Sequence, residues 1–206
     1  MGTTRRKYAP RLPPEQRREQ LLDGALALIA GGGFDALTME AVARRAGVTK
    51  PVVYELYANR AEVIAALLQR EAERATAQVL GSIPPAGSAD RPPADAYADG
   101  VRAFLTSVVE HPDRWRLVLL PPEGTPPEFR VHVELVRARV LAQVSTLADV
   151  GLRARGEADP DAELLGHAML ALAEMAGRLA ITDPARFPTD RLVSFVAKIA
   201  HVLPNG

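Results

Sequence analysis

A chain of 206 residues that is 48% hydrophobic and 24% charged can bury a sizeable core, which excludes a disordered polymer and leaves one compact unit or two small domains. The absence of cysteine excludes disulfides and thiolate chemistry. The formal net charge of zero conceals an asymmetry. Residues 1 to 60 hold ten Lys/Arg against six Asp/Glu and the remaining 146 hold fifteen against nineteen, so the N-terminal part stands at +4 and suits a polyanionic partner.

Apolar residues recur at helical spacing almost throughout, and no stretch alternates with the two-residue period of a strand, which predicts an all-α protein. The first residues, containing Arg5, Arg6, Lys7 and Arg11, form a basic arm. It reads either as a segment reaching into a DNA minor groove or as a solvated tail. A first helix starts near Pro14, whose missing N–H is harmless in a first turn, and buries Leu21, Leu22, Ala25, Leu28 and Ile29 before Gly31, Gly32 and Gly33 end it. Two short helical patterns follow in TMEAVARRAGVTKPVVYELY, from Thr38 to Tyr57. In the first, Met39, Val42, Ala43 and Ala46 share a face; in the second, Val53, Leu56 and Tyr57 do. Gly47 sits where the first must stop and turn sharply, a position that favours positive φ, and Thr49 is placed to cap the second. That is a helix-turn-helix arrangement, with Lys50, Pro51, Tyr54 and Glu55 left outside and Thr49 at the tip. Such a helix can enter the major groove while its predecessor crosses the backbone.

Asn59 and Glu62 form a capping-box-like pair opening a long connecting helix, residues 60–80, with Val63, Ile64, Leu67 and Leu68. The stretch GSIPPAGSADRPPADA then reads as a loop. Further helices are predicted at Asp95 to Glu110, Pro112 to Leu120, Pro127 to Arg155, Asp161 to Ile181 and Thr189 to Leu203. The expected organisation is a three-helix DNA-binding domain over residues 1–60, and a helical regulatory and dimerisation domain over 61–206.

From the first helix through TMEAVARRAGVTKPVVYELYANRAEVIAALL, about residues 12 to 70, the chain resembles the DNA-binding domain of the TetR family of bacterial transcriptional regulators. The features that carry the likeness are GGGFDALTM, the alanine-rich helix, GVT, the tyrosine-containing second helix and the capped start of the next. The resemblance implies that Tyr54 and Arg60 contact phosphate, Arg60 standing where the family more usually has lysine, and that Thr38, Thr49 and Lys50 contact the backbone too. Pro51, Val52 and Glu55 then face base edges. Glu55 either accepts from a cytosine amine or is a surface carboxylate kept off the phosphates. Leu56 stands where relatives often carry a polar group and reads as packing.

In the C-terminal part, Leu165, Ala168, Leu172, Met175 and Leu179 follow a 3-4-3-4 spacing beside a second face of Gly166, Leu170, Ala173, Gly177 and Ala180. The smaller face, with Leu192, Phe195, Val196 and Ile199 of the last helix, is the expected dimer interface, as the resemblance implies for the last two helices. A homodimer would bind a palindromic double-stranded operator. The resemblance also implies a repressor released by a small-molecule effector. Phe104, Trp115, Met169 and Met175 are candidate apolar lining, and His111, Arg116, His132, His167 and Glu174 candidate polar anchors, for a hydrophobic or amphipathic ligand. The alternative is a helical scaffold or ligand-binding protein of the same fold that does not bind DNA.

An enzyme is not expected. The histidines at 111, 132, 167 and 201 share no metal-ligand spacing, and GGGFDAL lacks the lysine and preceding strand of a phosphate loop, so neither metal nor cofactor is predicted. The most apolar run, LLGHAMLALAEMAGRLAI, is interrupted by His167, Glu174 and Arg178, so no membrane span is expected and the protein is placed in the cytoplasm.

Overall fold

A computed structural model describes residues 12–83, 92–158 and 161–202. Within them the chain forms nine α-helices and one 3₁₀ turn, with no strand among the described residues. The basic arm with Arg5, Arg6, Lys7 and Arg11 lies outside the described residues. The chain divides into two compact units, residues 1–67 and 68–206, and the division falls inside a helix, after Leu67.

The N-terminal unit contains α1 (Pro14–Gly32), the 3₁₀ turn Phe34–Ala36, α2 (Met39–Arg45), α3 (Lys50–Tyr54) and the start of α4 (Arg60–Ser82). Its core is Leu21, Leu22, Ala25, Ile29, Leu37, Val42, Val53, Val63 and Leu67, gathered from all four helices. Leu28 is only half-buried. At the start of α4 Asn59 Oδ1 accepts from the Glu62 N–H at 3.0 Å, while the Glu62 carboxylate reaches one residue further back than in a capping box and accepts from the Ala58 N–H at 2.9 Å.

The C-terminal unit contains the rest of α4, then α5 (Pro93–Glu110), α6 (Pro112–Leu119), α7 (Pro127–Ala154), α8 (Ala162–Thr182) and α9 (Thr189–Val202). The most extensive packing is between α7 and α8 and between α5 and α9. Val101, Leu105, Val108, Trp115, Ala176, Ile181, Leu192 and Val196 form the main core. A fully buried carboxylate, Glu71 of α4, lies beneath α6. It accepts from Arg114 Nε at 2.7 Å and from Arg70 Nε at 2.8 Å, while Arg114 Nη1 donates to Gln78 at 3.0 Å.

Two sequence expectations are corrected here. The small-residue face of α8 is used inside the protomer. A Cβ at Gly166 would lie 3.0 Å from the Cα of Ser145 on α7, and one at Gly177 would lie 2.8 Å from Leu119 Cδ1 and 3.1 Å from the Phe104 ring. At Gly166 the α7 backbone itself comes this close, so glycine is needed there, while at Gly177 a Cβ would displace the Leu119 and Phe104 side chains. Gly166, Leu170 and Gly177, with Leu192 and Val196, are therefore buried within one chain, Ala173 and Ile199 are half-buried, and only Phe195 of the expected interface is exposed. Second, α8 is long and apolar enough to cross a membrane by length and composition, despite its charges. Packing gives another reason for that composition, since Ala176, Ala180 and Ile181 join the main core.

Candidate nucleic-acid interface and ligand cavity

The turn between α2 and α3 is fixed by backbone hydrogen bonds rather than by shape alone. Thr38 begins α2, its Oγ1 accepting from the Ala41 N–H at 3.1 Å. At the other end, Gly47 adopts φ 66°, its N–H donates to the Arg44 carbonyl at 3.2 Å, and the Val48 N–H donates to the Ala43 carbonyl at 3.0 Å. These two bonds are a Schellman motif, which requires a left-handed residue at Gly47. Gln20 of α1 adds a side-chain bond to the Ala46 carbonyl at 2.9 Å, pinning the turn to the first helix.

With the turn held this way, Val53 and Tyr57 are buried and α3 presents its other side to solvent. Thr49, Lys50, Pro51, Tyr54 and Glu55 are exposed, Tyr54 to 48%, and Val52 is half-buried. Lys50 Nζ lies 6.0 Å from the centre of the Tyr54 ring, so the cation and the phenol stand side by side. Six of the eight expected DNA-contact residues, Thr49 to Glu55, thus lie on or at the ends of one short helix, and Thr38 stands exposed at the start of the helix before it.

Three details of that expectation change. Thr49 occupies the cap position of α3 without a side-chain hydrogen bond to the helix, and Pro51 follows within the first turn. The regular helix ends at Tyr54, so α3 is little more than one turn and its macrodipole is correspondingly short. Arg60 is turned inward in its bonding: its Nε donates to the Leu37 carbonyl at 2.7 Å and its Nη2 to the Phe34 carbonyl at 2.6 Å. The planar fork of a guanidinium suits two adjacent carbonyls of a tight turn, whereas an ammonium would present a point charge. Arg60, itself still exposed, therefore braces the 3₁₀ turn that leads into Thr38, a structural task in addition to the phosphate contact expected of it.

The C-terminal unit holds a cavity of about 410 Å³ between α4, α5, α6, α7 and α8. Of the residues expected to line a ligand site, Phe104, Trp115, His132, Met169 and Glu174 do so. His111, Arg116, His167 and Met175 do not: His111 and His167 are exposed, Met175 is on the outer face of α8, and Arg116 lies toward the Ile181 carbonyl. Sequence reasoning missed Tyr97, Phe129, Val140 and Arg137, all of which line the cavity. The signal that was available is the run Phe129, Val133, Val136, Val140 and Val144 along α7, whose spacing marks one apolar face.

The polar groups of the cavity are few. Burial pushes the Tyr97 phenol well above its ordinary range, so it stays protonated and donates to the Met169 carbonyl at 2.6 Å. Arg137 Nε donates to Glu174 at 2.7 Å, and this hydrogen bond raises the guanidinium pKa further, while Arg178 approaches the other carboxylate oxygen at 3.7 Å. Thr76 Oγ1 donates to the Ala72 carbonyl at 2.7 Å and lies 3.3 Å from His132 Nε2. No group of His, Asp and Glu able to hold a metal occurs among the described residues.

Comparison with known proteins falls on the same two units. The family model for bacterial regulatory proteins of the tetR family matches residues 21–67. The HTH-type transcriptional activator FasR of Mycolicibacterium smegmatis is 41% identical over 63 residues, 31% of this chain and 29% of that protein. The HTH-type transcriptional repressor KstR of Rhodococcus jostii is 38% identical over 60 residues, 29% of this chain and 28% of that one. The matched stretch thus spans less than a third of either relative's own length. A solved TetR-like transcriptional regulator from Rhodococcus sp. RHA1 has the same fold over 93% of this chain and 97% of its own, with a TM-score of 0.73 at 24% identity.

Proposed function

We propose that the chain is a member of the TetR family of bacterial regulatory proteins, a reading supported by the family-model match over residues 21–67 and the shared fold, and that it is a homodimeric, cytoplasmic transcriptional repressor that binds a palindromic operator and is released by a small apolar or amphipathic effector. The observation that carries this reading is the face of α3, where Lys50, Pro51, Tyr54 and Glu55 are exposed while the residues between them anchor the helix. Lys50, Tyr54, Thr49 and Thr38 neutralise or hydrogen-bond phosphates and set register. Pro51, Val52 and Glu55 meet base edges, and Glu55 is suited to a cytosine amine because a carboxylate can only accept. Of the matched relatives KstR is named a repressor and FasR an activator, so repression is our reading from the family resemblance rather than from either relative.

The dimer surface we propose is the outer side of α8 and α9. Leu164, Ala168, Ala171 and Met175 are exposed at 4-3-4 spacing on α8, Leu164 to 65% and Met175 to 39%, and Phe195 of α9 is exposed to 48%. Burying such a stripe against its two-fold mate stabilises a pair of chains, since apolar area is removed from water on both. The effector occupies the cavity lined by Phe104, Trp115 and Met169, and it must bind the non-DNA-binding state more tightly, because equal affinity for both states would shift nothing. A monomeric ligand-binding protein of the same fold would keep the cavity without needing the exposed face of α3.

The test is selection of duplexes from a random pool by the purified protein. The expected winner is an inverted repeat whose half-site centres lie one helical turn, about 34 Å, or a multiple apart. A pool that emerges unenriched would remove DNA recognition from the reading.

A further inference from the structure

We propose that the effector is an amphipathic monoanion, an apolar chain or ring bearing one carboxylate, whose head is held by Arg137 and Arg178 while its body fills the cavity. The inference rests on the cavity being the effector site. Phe104, Trp115, Val140 and Met169 make much of its wall apolar, and the charged side chains that line it come from two helices: Arg130, Glu134 and Arg137 of α7, and Glu174 and Arg178 of α8. Three guanidiniums against two carboxylates leave an excess of one positive charge. A single carboxylate answers it. A phosphate monoester, with about 1.5 to 2 negative charges, overshoots it.

The more buried of the two carboxylates is already engaged. Glu174 turns one oxygen to Arg137 Nε at 2.7 Å and the other to Arg178 Nη2 at 3.7 Å, so a cationic head finds that charge balanced. The guanidiniums are not used up in the same way. Each presents five N–H groups in a planar fork that matches a carboxylate, yet Arg137 is hydrogen-bonded through Nε alone among the described residues, and Arg178 stays beyond hydrogen-bond distance of Glu174. Their side chains are 36% and 40% exposed, so a ligand oxygen can reach the unused donors. Because both flank one carboxylate, they stand close enough together to share a second. Arg130, exposed two turns before Arg137 on α7, adds to the positive field at this rim.

The probes are octanoate, 1-octanol and octylamine, which share one chain and differ in the charge of the head at neutral pH. Binding to the full-length protein is followed by the methyl resonances of Met169 and Leu119, both on the cavity wall. Octanoate is expected to bind about threefold to tenfold more tightly than octanol, the range of a partly screened charge-assisted contact, and to lose that margin as salt rises. A carboxylate is costlier to strip of water than a hydroxyl, so this order requires the guanidiniums to hold the head. Arg178→Gln, which leaves the Arg137–Glu174 bond in place, should erase most of the margin. Octanol or octylamine binding as tightly as octanoate, or a margin that persists at high salt and in Arg178→Gln, overturns the anionic head while leaving the cavity as an apolar site. If none of the three moves the cavity resonances, the effector reading of the cavity falls and the anionic head with it. The wild-type ranking and its salt dependence decide the matter even if the variant does not fold.

Discussion

The two units of this chain use polar groups in opposite ways. In the N-terminal unit they are turned outward on α3 or occupied with capping and bracing: Thr38, Gln20, Asn59, Glu62 and Arg60 all hydrogen-bond backbone or one another within a short span of structure. In the C-terminal unit the principal polar cluster is internal, with Glu71 between Arg70 and Arg114 and wholly removed from water. The difference teaches where each unit can be altered. A surface built on a locked turn tolerates substitution of its outward residues without unfolding, whereas the buried cluster depends on its charge balance: without Glu71 the buried Arg114 guanidinium has lost its carboxylate, and without Arg114 the fully buried carboxylate has lost its shortest ion pair.

The largest effect expected from that contrast is Glu71→Ala or Arg114→Ala. Either should destabilise the C-terminal unit by about 3–5 kcal/mol, read as the midpoint of urea unfolding. A loss as small as that of an exposed pair would show that the cluster is hydrated and the contrast false. Next comes Phe195→Asp, which places a charge on the proposed interface. It should weaken dimerisation by roughly 2 kcal/mol or more, about thirtyfold in Kd, in sedimentation equilibrium, without changing the fold of the protomer. A variant that dimerises as well as the parent moves the interface elsewhere.

A smaller and sharper effect is expected at Arg60. Arg60→Lys keeps the charge and removes the fork, so stability of the N-terminal unit should fall by an amount on the order of 1 kcal/mol with the salt dependence of DNA binding unchanged. If lysine instead leaves stability intact and alters that salt dependence, the phosphate contact is the main task of Arg60 and the brace is secondary.

Legibility followed the range over which each feature is encoded. The Gly47 turn and the Asn59–Glu62 pair are each specified within a few residues, so local spacing sufficed to place them, whereas the spacing points to Thr49 as the cap residue and the side-chain cap is made by Thr38. The helices of the C-terminal unit were equally readable, α7 as Pro127–Ala154 against an expected end at Arg155, because amphipathic period and Pro starts are local signals. Glu71 was not readable: in QREAERATAQ it looks like part of a solvated face, and its partner Arg114 is remote in sequence. Period alone also left the two faces of α8 interchangeable. It reported that both were apolar, and only the closeness of Ser145 and Leu119 to Gly166 and Gly177 shows which one the protomer covers. The cavity is composite for the same reason, drawing Tyr97, Phe129 and Glu174 from three helices whose juxtaposition no local pattern encodes.

The central claim is that the outward face of α3 is what holds DNA, and the most direct measurement is the salt dependence of binding to the selected duplex for the parent and for Lys50→Ala, followed by fluorescence anisotropy. Removing one phosphate neutralisation should reduce the slope of log K against log salt by about 0.9, hence roughly twice that for a dimer without its two lysines, with no change in thermal stability. An unchanged slope and affinity in Lys50→Ala would contradict the assignment of this face to DNA.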